Sequence, residues 1–243
     1  MADADGSTCT TCQRCRARQK HKFCRPLVPV APNWGEYVAV GRPPYLLCRA
    51  SPSHLGVILQ LVEEAAEWLR GKNTDQWAQP WPDRQTRDER ISRDLDGGRT
   101  WIVWDAAVPA GTVTISTAHP RDAAGRYVWP RRKRRQEALY VGRLIVRRSH
   151  SGLGLGAALI DWAAHAAMQQ IGTPCLRIDV WTTNRDLHSY YQRHGFRRSA
   201  RRLPWKLPGY PSRALFERTV VPELTGHALF SVPDAPDLRG RCR

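Results

Sequence analysis

Apolar residues recur at helical spacing through Leu55, Ile58, Leu59, Val62, Ala66 and Leu69, a stripe that predicts an amphipathic helix. Ser51-Pro52 offers an N-cap followed by proline at the first helical position, and Gly71 stops the helix. The short apolar run Tyr45-Leu46-Leu47-Cys48 ahead of it reads as a strand. After an aromatic loop carrying Trp77, Pro80, Trp81 and Pro82, a second helix is predicted over 84–95, ending at Gly97-Gly98. Two β-like runs follow, 100–104 and 111–117, joined by a turn around Pro109. The polar, basic stretch 119–135 is expected as an exposed loop. Next come a strong buried strand over 138–146, a helix over 154–170 and a strand over 175–181. A helix over 185–194 closed by Gly195, a return to strand at Phe196 and a last strand over 214–220 complete the series. The order β-α-α-β-β-β-α-β-α-β-β, with no repeat, calls for a mixed sheet covered by helices on both faces.

Outside that region the pattern stops. Residues 1–44 lack a sustained period and are rich in proline, glycine and charge, so they are expected to be a basic, cysteine-containing tail. The domain is expected over 45–220, with a second tail over 221–243. No apolar run approaches the roughly 20 residues that span a bilayer, and no apolar segment follows a basic start. A cytoplasmic location without membrane contact is the expectation.

The net charge is +16 and the pI near 10.3. Much of the excess is clustered, at Arg14 to Arg25, Arg131 to Arg135, and Arg197 to Arg202. Such runs could bind nucleic acid or attract a cofactor's phosphates; an arginine-rich composition on solvated loops is the favoured reading, because no nucleic-acid fold signature accompanies them. Of the seven cysteines, Cys48 and Cys175 sit beside apolar residues, where a reduced, packed thiol is normal. Cys9-x-x-Cys12, with Cys15 and His21-x-x-Cys24, has spacing that zinc knuckles use. The gap holds Lys and Arg with almost nothing apolar to pack, so a disordered basic extension is the alternative, and no metal is expected.

The glycine-rich stretch Ser151-Gly152-Leu153-Gly154-Leu155-Gly156-Ala157 joins the strand over 138–146 to the next helix. Free N–H groups at a helix start, aided by the macrodipole, hold phosphate oxygens, and glycines let backbone come close. A Rossmann fingerprint would need its third glycine one residue later, and a P-loop would end in Gly-Lys-Ser/Thr. With Leu144-Ile145-Val146 ahead of it, Gly154-x-Gly156-Ala157-Ala158-Leu159-Ile160 resembles the cofactor-binding motif A of the GNAT superfamily of N-acetyltransferases. Further on, Asn184-Arg185-Asp186-Leu187-His188-Ser189-Tyr190-Tyr191-Gln192-Arg193-His194-Gly195-Phe196 is similar to the family's motif B. The resemblance covers about residues 45 to 220. It departs at Ser151, where the family usually has Gln or Arg.

The resemblance implies an α/β (α+β) fold with a mixed, mostly antiparallel sheet, a splayed central strand pair and helices on both faces. It also implies an acetyl-CoA-dependent N-acetyltransferase acting by direct attack in a ternary complex. Leu144, Ile145 and Val146 would face the pantetheine arm, with the Val146 N–H polarising the thioester carbonyl. Ser151, Gly152, Leu153, Gly154, Leu155, Gly156 and Ala157 would cradle the pyrophosphate. Asn184 would cap its helix and touch pantetheine, and Tyr191 would protonate the departing sulfur. Some relatives carry a glutamate where Tyr140 stands; Asp179, on the following strand, is the candidate base, ahead of Glu137 and His150. Burial among Ile178, Val180 and Trp181 could raise its pKa, and an outward-facing aspartate is the alternative. The acceptor would be a small-molecule amine or a peptide N-terminus, with the aromatic loop as a wall and polycations such as aminoglycosides disfavoured by charge. A homodimer is compatible. The competing reading is a nucleic-acid-associated protein whose fold binds acyl-CoA and whose tail does the main work.

Overall fold

The computed structural model describes residues 45–122, 125–199, 211–212, 214–220 and 230–231. The expected N-terminal tail, with Cys9, Cys12, Cys15, His21 and Cys24, lies outside the described residues, as does most of 221–243. The two described residues of that second segment, Phe230–Ser231, form a short strand.

Among the described residues eight strands make one sheet. They are β1 (Tyr45–Arg49), β2 (Thr100–Asp105), β3 (Val108–Ser116), β4 (Leu139–Val146), β5 (Cys175–Val180), β6 (Arg197–Arg198), β7 (Ala214–Thr219) and β8 (Phe230–Ser231). The spatial order is β6-β7-β5-β4-β3-β2-β1-β8. Every neighbouring pair is antiparallel except β4–β5 and β1–β8. The helices are α1 (Leu55–Arg70), α2 (Arg84–Asp96), the single turn α3 (Arg131–Arg134), α4 (Leu155–Ile171) and α5 (Arg185–Arg193).

Alternation along the strands makes two cores, because successive side chains leave opposite faces. Leu139, Val141, Leu176 and Ile178 face α4 and α5, meeting Leu155, Ala158, Leu159, Ala163 and Tyr191. On the other face Ile102 and Ile145 meet Ile58, Leu61 and Val62 of α1 and Ile91 and Leu95 of α2. In α4 the small side chains of Ala158, Ala163, Ala164, Ala166 and Ala167 are all buried, which lets the helix lie close on the sheet. Gly172, in the left-handed region at φ 64°, ends it by donating to the Ala167 and Met168 carbonyls.

Four expectations change. In α1 the buried stripe runs through Leu61, with Leu59 only half-buried, because contact with α2 sets the helix rotation. Pro109 lies inside β3, where the register shifts between Val103 and Trp104; a bulge tolerates a residue that cannot donate. Stretch 119–135 is no simple exposed loop. Val128 and Trp129 are buried, and the fully buried Arg177 of β5 anchors it through the Lys133 carbonyl (2.8 Å) and the Gln136 side chain (3.1 Å). Cys175 is a free, half-buried thiol as expected, whereas Cys48 is disulfide-bonded.

Candidate active site

β4 and β5 pair only at Leu139↔Leu176 and Tyr140↔Arg177, and from there the two parallel strands diverge. On its other side β4 stays paired with β3 out to Gly111↔Val146. The Arg147 N–H donates to the Ala110 carbonyl on the β3 side (2.8 Å). Amide groups alternate in direction along a strand, so the Val146 N–H points the other way, into the opening between β4 and β5. The expected splayed pair is therefore present, and it presents backbone donors to a cleft.

A bulge helps to shape this edge. The β3–β4 register shifts between Thr112 and Thr114, and Arg143 opposite adopts φ 44°. A non-glycine residue there costs about 1–2 kcal/mol, and such strain gathers at functional sites. Its guanidinium is held by Asp94 (3.2 Å) and the Thr114 hydroxyl (3.0 Å). Beyond β4, Gly152 and Gly154 have φ of 81° and 80°, and Gly154 is the N-cap of α4 with no side chain bonded across the helix start. No acidic residue stands in that first turn. These features fit an anion: left-handed glycines turn the chain so that N–H groups converge, and no capping side chain competes for them. Gly156 is required for a different reason, since the Tyr190 hydroxyl occupies the space a Cβ would need.

A cavity of about 1110 Å³ lies between α1, α2, the loop after α1 and the β4 and β5 edges. It gathers Leu144, Asp179 and Tyr191 from the expected set, together with Trp77 and Trp81. Tyr191 is 7% exposed, and its hydroxyl is pushed up in pKa by burial, then by the negative charges of Tyr190 and Asp179. It is therefore a protonated group throughout the neutral range. Asp179 is half-buried on β5, opposite Leu215. The remaining expected residues are not part of its lining. Ile145 is buried against α1, Val146 is half-buried beside Gly156, and residues 151–157 form the entry to α4. Of these, Ser151, Gly152 and Gly154 are exposed, Leu153, Gly156 and Ala157 half-buried, and Leu155 buried.

Asn184 caps α5, accepting from the Leu187 N–H (2.9 Å), and its amide donates to Gln76 (2.6 Å). Asp75 beside it accepts from the Trp181 indole (2.7 Å) and from Thr183. Together these bonds pin the aromatic loop to the β5–α5 turn, roofing the cavity. Neither weaker base candidate lines it: Glu137 is exposed, and His150 is buried elsewhere, bonded to Asp105 (3.0 Å) and Ser149 (2.8 Å). Tyr140 does line it. Its hydroxyl bonds His119 (2.7 Å) and Arg177 (3.3 Å), and burial raises its pKa. Burial, then the charge of Arg134, lowers the pKa of His119, keeping its ring neutral. Sequence reading passed over His119, Asp94, Asp75 and Gln76, which lie far from either motif along the chain, and Arg143, which directly precedes Leu144 but whose bulge depends on the pairing with β3.

A sheet opened at a parallel strand pair, fed by a glycine-built helix start and closed by a buried tyrosine, defines an acyl-CoA-dependent acyltransferase. The chain belongs to the acetyltransferase (GNAT) family, whose pattern its residues 62–196 match over more than half its length. It is an N-acetyltransferase with acetyl-CoA as donor, as the family is. It is similar to the uncharacterized N-acetyltransferase YesJ of Bacillus subtilis, 28% identical over 152 residues, or 63% of this chain and 81% of that one. Its fold resembles a GNAT-family acetyltransferase from Listeria monocytogenes, with TM-score 0.59, 22% identity, and coverage of 76% of this chain and 100% of that one. It also resembles the PaiA N-acetyltransferase of Thermoplasma acidophilum, solved with coenzyme A, with TM-score 0.51, 14% identity, and coverage of 72% and 98%. Among the described residues no helix is long and apolar enough to cross a membrane, and no cluster of three potential metal ligands occurs. Family and fold lend nothing to the nucleic-acid reading.

Proposed function

We propose that the chain transfers acetyl from acetyl-CoA directly to a primary amine, a small molecule or a peptide N-terminus, in a ternary complex. The observation that carries this reading is the convergence of the β4 edge, Asp179 and Tyr191 on one cavity. Outside its lining, residues 151–157 and the α4 N-terminus hold the pyrophosphate, while Leu144, which lines it, and Ile145 and Val146 run along the pantetheine. Asn184 keeps the far end of that groove in place through its bonds to Leu187 and Gln76.

The chemistry needs a neutral amine, a stabilised oxyanion and a protonated leaving group. Asp179 takes the amine proton, directly or through water. The Val146 N–H donates to the carbonyl oxygen as the new C–N bond forms. Tyr191 gives its proton to sulfur as the C–S bond breaks. A tyrosine whose pKa burial has raised is a poor base but a group that stays loaded with its proton, which suits the last role.

The Tyr191→Phe variant tests this. The expected outcome is a fall in kcat of roughly 10²–10⁴-fold, the usual worth of a general acid, with acetyl-CoA affinity by calorimetry within about twofold of the parent. Unchanged turnover would remove Tyr191 from the mechanism.

A further inference from the structure

The acceptor cavity is unusually basic for a site that must receive an amine. Eight arginines and four carboxylates line it among the described residues, and it holds no lysine. Three of the arginines, Arg84, Arg87 and Arg90, stand three residues apart on α2, a spacing that puts them on one helix face. Arg143 rises from the strained bulge of β4, next to Leu144.

Carboxylates outside the lining serve some of these arginines, Glu67 pairing with Arg70 and Asp83 lying near Arg90, while others share a partner. Asp94 serves two guanidiniums at once, Arg143 (3.2 Å) and Arg99 (3.0 Å). Glu63 likewise serves Arg87 (2.8 Å) and Arg84 (3.4 Å), with Asp88 adding a second partner for Arg87 (2.7 Å). Arg90 lies over the Trp81 ring, 5.1 Å from its centre, and donates to the Trp81 carbonyl, so its planar fork is held in place at the cavity wall. Burial depresses the pKa of Arg143, the signature of a cation whose surroundings compensate its charge incompletely. An anion placed there restores the balance. A second cation raises the cost, so the same wall excludes polyamines.

Building on the transferase reading above, we infer that the acceptor is a small amine that also carries an oxyanion, a carboxylate or a phosphonate. Its acidic group docks on Arg143 and the α2 arginines while its amine reaches toward Asp179. Guanidinium forks match such groups in a bidentate manner, which gives orientation as well as affinity.

The test uses the full chain, acetyl-CoA and a thiol-detecting assay for released CoA. The amines are α-amino acids, the same amino acids as primary amides, aminoalkylphosphonates and spermidine. The expected result is a kcat/KM for acids or phosphonates at least about tenfold above the matched amides, with spermidine lower still. The acid-versus-phosphonate ratio tells which oxyanion the site prefers. Arg143→Gln should cut the acid-over-amide preference by roughly tenfold. Because Arg143 also braces the bulge, Arg90→Gln at the half-buried cavity wall is a second probe away from that bulge, with the same direction expected. Amides or spermidine equal to or better than the acids overturn the inference, and so does a preference that survives both substitutions. Those outcomes leave the transferase reading standing, since CoA is still released. No CoA release with any amine, from protein that binds acetyl-CoA, overturns the transferase reading and the acceptor class with it.

Discussion

Gly156 offers a quantitative test of the packing at the cofactor loop. It sits in the first turn of α4, where a Cβ would land on the Tyr190 hydroxyl, with Tyr190 Cζ at 3.4 Å and Val146 Cγ2 at 3.8 Å. The tyrosine has little room to retreat. Its ring packs on His194 at 4.5 Å and Tyr191 at 5.4 Å, and burial pushes its pKa up to about 12. Gly156→Ala should therefore overpack the site at a cost of about 1–3 kcal/mol, offset by up to about 1 kcal/mol from alanine's better helix propensity. The net loss expected is about 1–2 kcal/mol. In a Tyr190→Phe background the obstructing oxygen is gone, and the nearest remaining atoms are at ordinary contact distance. The same Gly156→Ala change should then be neutral or stabilising by up to about 1 kcal/mol. Urea unfolding of the four proteins of this cycle, followed by far-UV circular dichroism, measures the coupling, expected at about 2 kcal/mol. A coupling below about 0.5 kcal/mol, or an equal loss in both backgrounds, would refute the steric reasoning.

Three further outcomes are expected. Asp179→Asn should lower kcat/KM by about 10²–10⁴-fold and erase the acidic limb of its pH profile; a retained limb assigns the base elsewhere. Asn184→Ala removes the α5 cap and the bond to Gln76, and should cost about 1 kcal/mol in urea unfolding. It should also speed hydrogen exchange in residues 72–80, and unchanged exchange there would show that the bond to Gln76 does not hold the loop. Burial holds His119, His165, His188 and His194 below the ordinary histidine value of 6.5. Below that pH the unfolded chain binds more protons than the folded one, so stability present at pH 7 is lost on acidification. The ceiling is about 1.4 kcal/mol per histidine per pH unit, and a melting temperature that rises from pH 7 to 5.5 contradicts it.

The two family motifs were readable along the chain because their parts are local. A buried strand, a glycine turn and a helix start follow one another within 138–157, and one short helix carries Tyr191, with Asn184 at its N-cap and Gly195 just past its end. Element positions were legible for the same reason, since period and caps are properties of neighbouring residues. Register was not. Pro109 reads as a turn until the bulge opposite Trp104 gives it a place inside β3. The stretch 119–135 reads as solvent-exposed until the buried Arg177 reaches across from β5 to anchor it.

By itself, then, the sequence determined the order of elements, the two motifs and the acyl donor they imply, all set by short-range spacing. Only the tertiary structure decided the opening between β4 and β5, because that depends on where a ladder between residues some 37 positions apart stops. It also decided the arginine-lined wall of the cavity. Arg84, Arg87 and Arg90 are unremarkable on a polar helix. They line one cavity with Arg143 and Asp179 because of the rotation of α2, which is fixed by Ile91 and Leu95 burying themselves against α1 and the sheet.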